Sequence, residues 1–199
     1  MKFKLNDVFW TFQGEGRQAG RRALFIRLPG CNLSCSWCDT EFDSHFECSE
    51  EVLESMVQKE PADLVVITGG EPLMNRQLKT LVPFLKKFGK QIACETNGTQ
   101  PNDYGIDWIC CSPKRDSNYE INTKMRFPDE VKLVVDSGFD EKTMTDVERM
   151  ARARRSNPYL YLSPEHGDME KNVKTIIELI RRKPEWRMSL QTHKWIGIK

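Results

Sequence analysis

The chain has almost no net charge and no long apolar run, and both absences narrow what it can be. With 30 basic and 29 acidic side chains the balance is +1, which gives no global electrostatic case for nucleic acid or an anionic membrane as partner. Residues 1–7 lack the apolar core of a secretory signal, and no later stretch approaches membrane-spanning length. A cytoplasmic location is expected, with no nucleic acid and no membrane engaged. Repeats, low-complexity tracts and linkers are missing as well. A length of 199 residues suits one sizeable core, so a single domain over 1–199 is expected. Seven cysteines would suggest a disulfide framework in a short secreted chain, but the number is odd, and three sit too close together to staple distant segments. Basic runs at Arg152, Arg154, Arg155 and at Arg181, Arg182, Lys183 end helical-looking stretches. Cations favour the helix dipole there, so these runs read as solvated helix ends.

The crowded cysteines carry most of the information. Cys31-Asn32-Leu33-Ser34-Cys35-Ser36-Trp37-Cys38 reads as C-x3-C-x2-C, so three thiolates converge on one small object from a single loop. No fourth cysteine follows at comparable distance. A 4Fe-4S cluster held by the protein alone uses four thiolates, and three leave one iron for another ligand. Zinc accepts the same thiolates and adds a fourth Cys or His at its own spacing. His45 is available for that place, so spacing alone leaves zinc open. The loop resembles that of the radical S-adenosylmethionine (SAM) enzymes, in which the cofactor's amino and carboxylate groups chelate the open iron.

Elsewhere, apolar runs with strand character alternate with helical patterns. Strands are expected at 8–12, 23–28, 64–67, 92–94, 108–111, 131–135, 159–162 and 188–190. Helices are expected at 49–59, 75–88, 141–155 and 168–182, with Ser49 and Asn75 as N-caps, Gly89 as a C-terminal glycine and Pro83 as a kink. Such alternation implies parallel strands joined by helical crossovers. Four helices in 199 residues fall short of a complete barrel of about 250. The expected class is α/β, with a mostly parallel sheet forming a partial, compressed (β/α) barrel. Polar clusters follow the strands: the cysteine loop, 68–72, 95–99, 112–114, 136–138, 163–166 and 191–194. In parallel α/β folds that edge carries the site, and all seven clusters are expected at one mouth.

Three motifs sharpen this. Gly69-Gly70-Glu71-Pro72 supplies backbone for close approach and a carboxylate fixed by proline; paired glycines also suit an ordinary strand-to-helix turn, but the radical SAM family has a GGEP-type motif that binds the methionyl amino group. Phe12-Gln13-Gly14-Glu15-Gly16 suits the donor and acceptor edge of a heterocycle. Arg27 offers a planar fork to a carboxylate, or forms a surface ion pair. The runs 8–16 and 25–33, with Cys38-Asp39-Thr40 and the terminal Gln191-Thr192-His193-Lys194, resemble the 7-carboxy-7-deazaguanine synthase family over nearly the full chain.

The resemblance implies a reaction. A 4Fe-4S cluster on Cys31, Cys35 and Cys38 reduces SAM to methionine and a 5′-deoxyadenosyl radical, which removes the C6 hydrogen of 6-carboxy-5,6,7,8-tetrahydropterin. The ring contracts, ammonia leaves, hydrogen returns to regenerate SAM, and 7-carboxy-7-deazaguanine departs toward queuosine. Carried over position by position, Phe12, Gln13, Gly14, Arg27 and Thr68 contact the pterin substrate, and Trp37, Cys38, Asp39, Gly70, Ser112, Pro113 and Lys114 line the SAM site. Trp37 suits stacking on adenine or simple core packing, and Ser112 with Lys114 suits a capped turn. Ser163, Pro164 and Glu165 are expected as further cofactor contacts, and, the substrate being small, the chain end near Lys199 is expected to close the pocket. Thr40 is the implied Mg2+ ligand, although chemistry alone favours Asp39. The family is homodimeric, and a flavodoxin- or ferredoxin-type protein supplies the electron. A glycyl-radical activase and a non-catalytic zinc or iron–sulfur protein remain as alternatives.

Overall fold

The computed structural model describes residues 1–38, 40–59, 61–155 and 157–198. Asp39 and Lys199 lie outside the described residues. In chain order the strands and helices are β1 (Lys2–Leu5), β2 (Asp7–Phe12), β3 (Arg22–Leu28), β4 (Phe46–Ser49), α1 (Glu50–Lys59), β5 (Leu64–Gly69), α2 (Leu78–Lys86), β6 (Gln91–Thr96) and β7 (Trp108–Cys111). Then follow β8 (Glu130–Val135), α3 (Glu141–Arg152), β9 (Tyr159–Pro164), α4 (Met169–Arg182), β10 (Trp186–Met188) and the one-turn α5 (Thr192–Trp195).

Eight strands form one sheet in the order β10-β9-β8-β7-β6-β5-β3-β2. Every pairing is parallel except the antiparallel β2–β3 hairpin. The compression has a visible source: β6 to β7 and β7 to β8 are joined without an α-helix. The expected α/β partial barrel is therefore what the chain forms.

Alternation along each strand separates two faces. Leu24, Ile26 and Leu28 on β3, Val65 and Ile67 on β5, and Val131, Leu133 and Val135 on β8 join the large core under the helices. Fully burying each such side chain contributes about 1.5–3 kcal/mol. The inner face begins small and apolar, with Ala23, Leu64, Val66 and Ala93 packed beside Phe25 and Trp108. Toward the carboxyl ends of the strands it turns polar, through Arg27, Glu95 and Lys132.

Local signals mostly hold. Ser49 Oγ accepts from Val52 N–H at 3.3 Å, as an N-cap does. Gly89 has φ +69°, and α2 continues through Pro83. Two expectations need correction. The last strand is Trp186–Met188 and not 188–190: the pairing with β9 ends at Met188 opposite Leu162, beyond which Ser189 N–H still reaches Leu162 O at 2.8 Å while its Oγ accepts Gly16 N–H at 2.9 Å. Helix α2 starts at Leu78, since Pro72–Met74 first makes a 3-10 turn that Asn75 ends. The small β1–β4 sheet was not foreseen. Among the described residues no helix is long and apolar enough to cross a membrane.

The segments that follow β2 and β10 join the two edges of the sheet. Thr192 N–H and Oγ1 both donate to Gly14 O, at 3.2 and 3.0 Å, and Gln191 Nε2 donates to Glu15 Oε1 at 2.8 Å. This latch joins the connection within the β2–β3 hairpin to the segment after the last parallel strand, beside the cavity.

Candidate active site

The mouth holds a cavity of about 540 Å3, within the ~300–1,000 Å3 of small-molecule sites. Cys31, Cys35, Trp37, Cys38 and Thr40 line one side, after β3. Phe12 ends β2 and Gln13 follows it, and Arg27 and Thr68 come from near the ends of β3 and β5. Gly70, Ser112 and Lys114 line the cavity, as do Ser163, Pro164 and Glu165. Two expected residues do not. Pro113 is buried behind the wall, and Gly14 is covered by His193, whose Nδ1 would lie 2.0 Å from an added Cβ. The cluster 136–138 is also absent from the lining: Asp136 instead pairs with Arg115 and caps Gly138 N–H.

All seven cysteines are free thiols. Cys31 and Cys35 are half-buried, Cys38 is exposed, and Cys38 N–H closes a turn onto Cys35 O at 3.0 Å. Burial pushes the Cys31 and Cys35 thiols up, with the Glu71 and Asp116 charges adding to it; Leu33 N–H at Cys31 and Lys114 at Cys35 act in the opposite sense. The three sulfurs sense one another electrostatically. Yet three or more metal-ligating atoms within 4.8 Å of one another occur, among the described residues, at Glu95, Cys110 and Glu130, not in this loop. Thiolates around one tetrahedral zinc, each about 2.3 Å from the metal, sit closer than that. His45 does not line the cavity. The thiols as placed stand wider apart than around one zinc ion, a spacing that suits a multi-iron cluster.

Glycine is required where the GGEP stretch meets this loop. A Cβ on Gly70 would lie 2.0 Å from Gly30 O, a backbone atom that cannot swing away. Gly70→Ala is therefore expected to push the cysteine loop outward, lowering stability by about 1–3 kcal/mol and iron uptake with it. Parallel thermal melts and iron assays check this, and parent-like values in both would refute the wedge. Beside it, Lys114 Nζ lies 5.3 Å from the centre of the Trp37 ring. Burial, aided by the Lys132 charge, lowers the Lys114 pKa.

A binding wall adjoins the cysteine loop at Thr40. Arg27 donates from Nη1 to Thr40 Oγ1 at 3.0 Å, while its buried Nε has no partner. Thr11 Oγ1 is likewise buried, unpartnered and on the cavity wall. Phe9 and Phe25 stack with centroids 5.4 Å apart, and Arg27 sits 5.4 Å over Phe9. Orphaned donors are costly when buried, so the wall is built to meet polar groups of a ligand beside an apolar face.

The floor is a charge network that the sequence reading missed. Lys132 pairs with Glu15 and, at 3.4 Å, with Glu95; Gln13 Nε2 donates to Glu95 Oε1 at 3.0 Å. Burial acts to lower the Lys132 pKa, but Glu15 and Glu95 outweigh it and hold it well above the usual lysine value. Burial acts to raise Glu15, but Lys132 and Gln191 outweigh it and hold it low. Beneath, Glu130 is raised by burial and by Glu95, and accepts Arg17 N–H at 2.7 Å. The available signal was a lysine within the apolar run Val131–Val135, at an inward position.

Three converging thiols at the mouth of a partial (β/α) barrel define a radical SAM enzyme, and the sequence profile of the Radical SAM superfamily matches residues 25–197. Curated proteins named 7-carboxy-7-deazaguanine synthase align over this whole chain. One from Bacteroides thetaiotaomicron is 37% identical and wholly covered, and one from Neisseria meningitidis is 34% identical with 95% covered. The crystal structure of QueE from Escherichia coli superposes with TM-score 0.73 at 28% identity, covering 96% of this chain and 94% of that one. The chain belongs to the 7-carboxy-7-deazaguanine synthase family of the radical SAM superfamily.

Proposed function

We propose that this protein is a 7-carboxy-7-deazaguanine synthase, converting 6-carboxy-5,6,7,8-tetrahydropterin to 7-carboxy-7-deazaguanine and ammonia. The observation that carries this reading is one cavity lined both by three free thiols and by Arg27, with its unpartnered Nε. When bound, a 4Fe-4S cluster on Cys31, Cys35 and Cys38 together with SAM supplies the 5′-deoxyadenosyl radical that starts the reaction.

The chain's own residues do the rest by placement. Arg27 receives the substrate carboxylate on its fork, and the Phe9–Phe25 stack limits where the ring lies. Gln13, fixed through Glu95, and Thr68 present polar groups to the heterocycle edge. Trp37, Gly70, Ser112 and Lys114 hold SAM, with Cys38 and Asp39 beside it; Gly14 and Pro113 act from behind the wall by fixing backbone. Thr40 Oγ1, oriented by Arg27, supplies one hard oxygen to Mg2+. The polar groups converge on a small molecule, which weighs against peptide activation. A single cytoplasmic domain, a homodimer and a flavodoxin- or ferredoxin-type electron donor complete the reading.

The test is conversion of 6-carboxy-5,6,7,8-tetrahydropterin by anaerobically reconstituted protein with SAM and a reductant. Product formation is expected; 5′-deoxyadenosine release without ring contraction would overturn the substrate assignment. Arg27→Lys keeps the charge and loses the fork, so KM for the pterin should rise about tenfold or more, with iron content unchanged. An unaltered KM would make Arg27 a structural residue. Thr40→Ala should require more Mg2+ than the parent to reach a given rate, because water replaces the hydroxyl. If Asp39→Asn shifts the Mg2+ titration while Thr40→Ala does not, the metal belongs to Asp39.

A further inference from the structure

Thr11 carries a hydroxyl that the protein itself does not use. The residue is 6% exposed, its Oγ1 is buried and makes no hydrogen bond, and it lines the same cavity as Arg27. Its neighbours explain why. Across the ladder Thr11 faces Ala23, and Ala23 faces Leu64 on β5; both belong to the small apolar patch of the inner face. Neither side chain can donate or accept. Valine would fill the position with nearly the same shape and without the cost of a buried, unpaired hydroxyl, so packing alone gives no reason for the oxygen.

Position supplies one. Three successive inward rungs of the β2–β3 hairpin carry cavity residues: Arg27 opposite Asp7, Phe25 opposite Phe9, and Thr11 opposite Ala23. At about 3.4 Å of rise per residue the outer two rungs are roughly 13 Å apart, with the stacked Phe9–Phe25 pair between them. Among the described residues, the buried unpartnered polar side-chain atoms on the cavity wall are Arg27 Nε and Thr11 Oγ1, one on each side of that aromatic pair. Gln13, two residues beyond Thr11, is already committed: Nε2 donates to Glu95 Oε1 and Oε1 accepts Glu15 N–H at 3.1 Å. The wall thus suits a flat molecule with a carboxylate at one edge and a polar ring rim at the other. We infer that Thr11 is a specificity-determining residue whose hydroxyl hydrogen-bonds the substrate ring at the edge away from the carboxylate held by Arg27. The inference rests on the substrate proposed above. A site built around such a hydroxyl discriminates against ligands that cannot pair with it more sharply than an apolar contact would.

The experiment is isothermal titration of 6-carboxy-5,6,7,8-tetrahydropterin into anaerobically reconstituted parent, Thr11→Val, Thr11→Ser and Arg27→Lys, with SAM present and no reductant, so that the ligand binds without turning over. Each protein is also melted without the pterin. Thr11→Val should melt at or above the parent's temperature and yet bind the pterin about tenfold more weakly. Thr11→Ser keeps the oxygen and should bind close to the parent. With 5,6,7,8-tetrahydropterin, which lacks the carboxylate, Thr11→Val should still lose about tenfold against the parent, whereas Arg27→Lys should bind it as the parent does. Parent-like pterin affinity in Thr11→Val would overturn the inference, whichever way the melting temperature moves. A loss confined to the carboxylated ligand would overturn the assignment to the far edge. If Thr11→Val does not fold, Thr11→Ala takes its place, and equal affinities in Thr11→Ala and Thr11→Ser would overturn the role of the hydroxyl. A parent that binds neither pterin would sink the proposed function and this inference with it, a result distinct from equal binding by parent and variant.

Discussion

Cys35→Ala is expected to yield a folded chain that retains no stable four-iron cluster and forms no 5′-deoxyadenosine. The loop supplies three thiolates and no spare: the other cysteines, Cys48, Cys94, Cys110 and Cys111, are buried in strands, at or below 2% exposure. Burial holds Cys94 and Cys110 well above the ordinary thiol range and pushes Cys111 up to about 12, so none is a ready thiolate. Two remaining ligands leave two irons without protein attachment. The check is iron and sulfide analysis with the optical spectrum after reconstitution, beside Cys48→Ala as a control. The control should bind the cluster as the parent does. A parent-like spectrum and turnover in Cys35→Ala would mean that the ligands are assigned wrongly.

Lys132→Met should be the most damaging change to stability. Lys132 is 10% exposed and faces Glu15 at 14% and Glu95 at 22%, so its removal strands carboxylates in a poorly hydrated floor. Breaking a buried pair from one side costs about 3–5 kcal/mol, which in a chain of this size lowers Tm by roughly 6–20 °C. The pH dependence has a defined sign. Glu15 is depressed when folded, so its contribution is present above the unfolded carboxylate value and is lost as pH falls through the folded one. Lys132 is raised, so its contribution is present below the unfolded lysine value and is lost as pH rises through the folded one. Melts across acid pH should therefore show a steeper loss for the parent than for Lys132→Met. A variant melting with the parent at neutral pH would mean that Glu15 and Glu95 take up protons at no cost.

Much of this was legible before any coordinates. Alternating apolar runs placed seven strands and four helices because most of those strands are buried on their helix-facing side, and burial of that kind writes a hydrophobic pattern; β2 is the exception, with Trp10 58% and Phe12 41% exposed. The cysteine spacing and the GGEP stretch were legible because both are local: Gly70 meets Gly30 through backbone alone. What the pattern hid was non-local. β1 has alternating burial, yet its partner β4 lies more than 40 residues away, and nothing in either segment names the other. The run 188–190 looked like a strand, but only Met188 of it lies in β10, and Ser189 Oγ takes the N–H of Gly16, which no local pattern announces. Lys132 was lost inside Val131–Val135 because its two carboxylates come from the loop after β2 and from β6. The 136–138 cluster follows the pattern of the others and still misses the cavity, since Arg115 takes Asp136.

The latch at the mouth also orders events during synthesis. Its bonds join residues 173 to 178 positions apart, so the ribosome delivers residues 14–16 long before their partners at 189–192. At about 5–20 residues per second, a nascent chain spends roughly ten seconds or more with the mouth unsealed. Throughout that interval Glu15 and Gly14 lack their partners from 191–192, whereas the cysteine loop and its supports, Glu71 N–H on Gly30 O and Asn97 Nδ2 on Asn32 Oδ1, have already been made. The metal-binding half of the mouth can thus mature before the seam on the substrate side is closed, and a chain cut short before Ser189 would keep its thiols while lacking the seam.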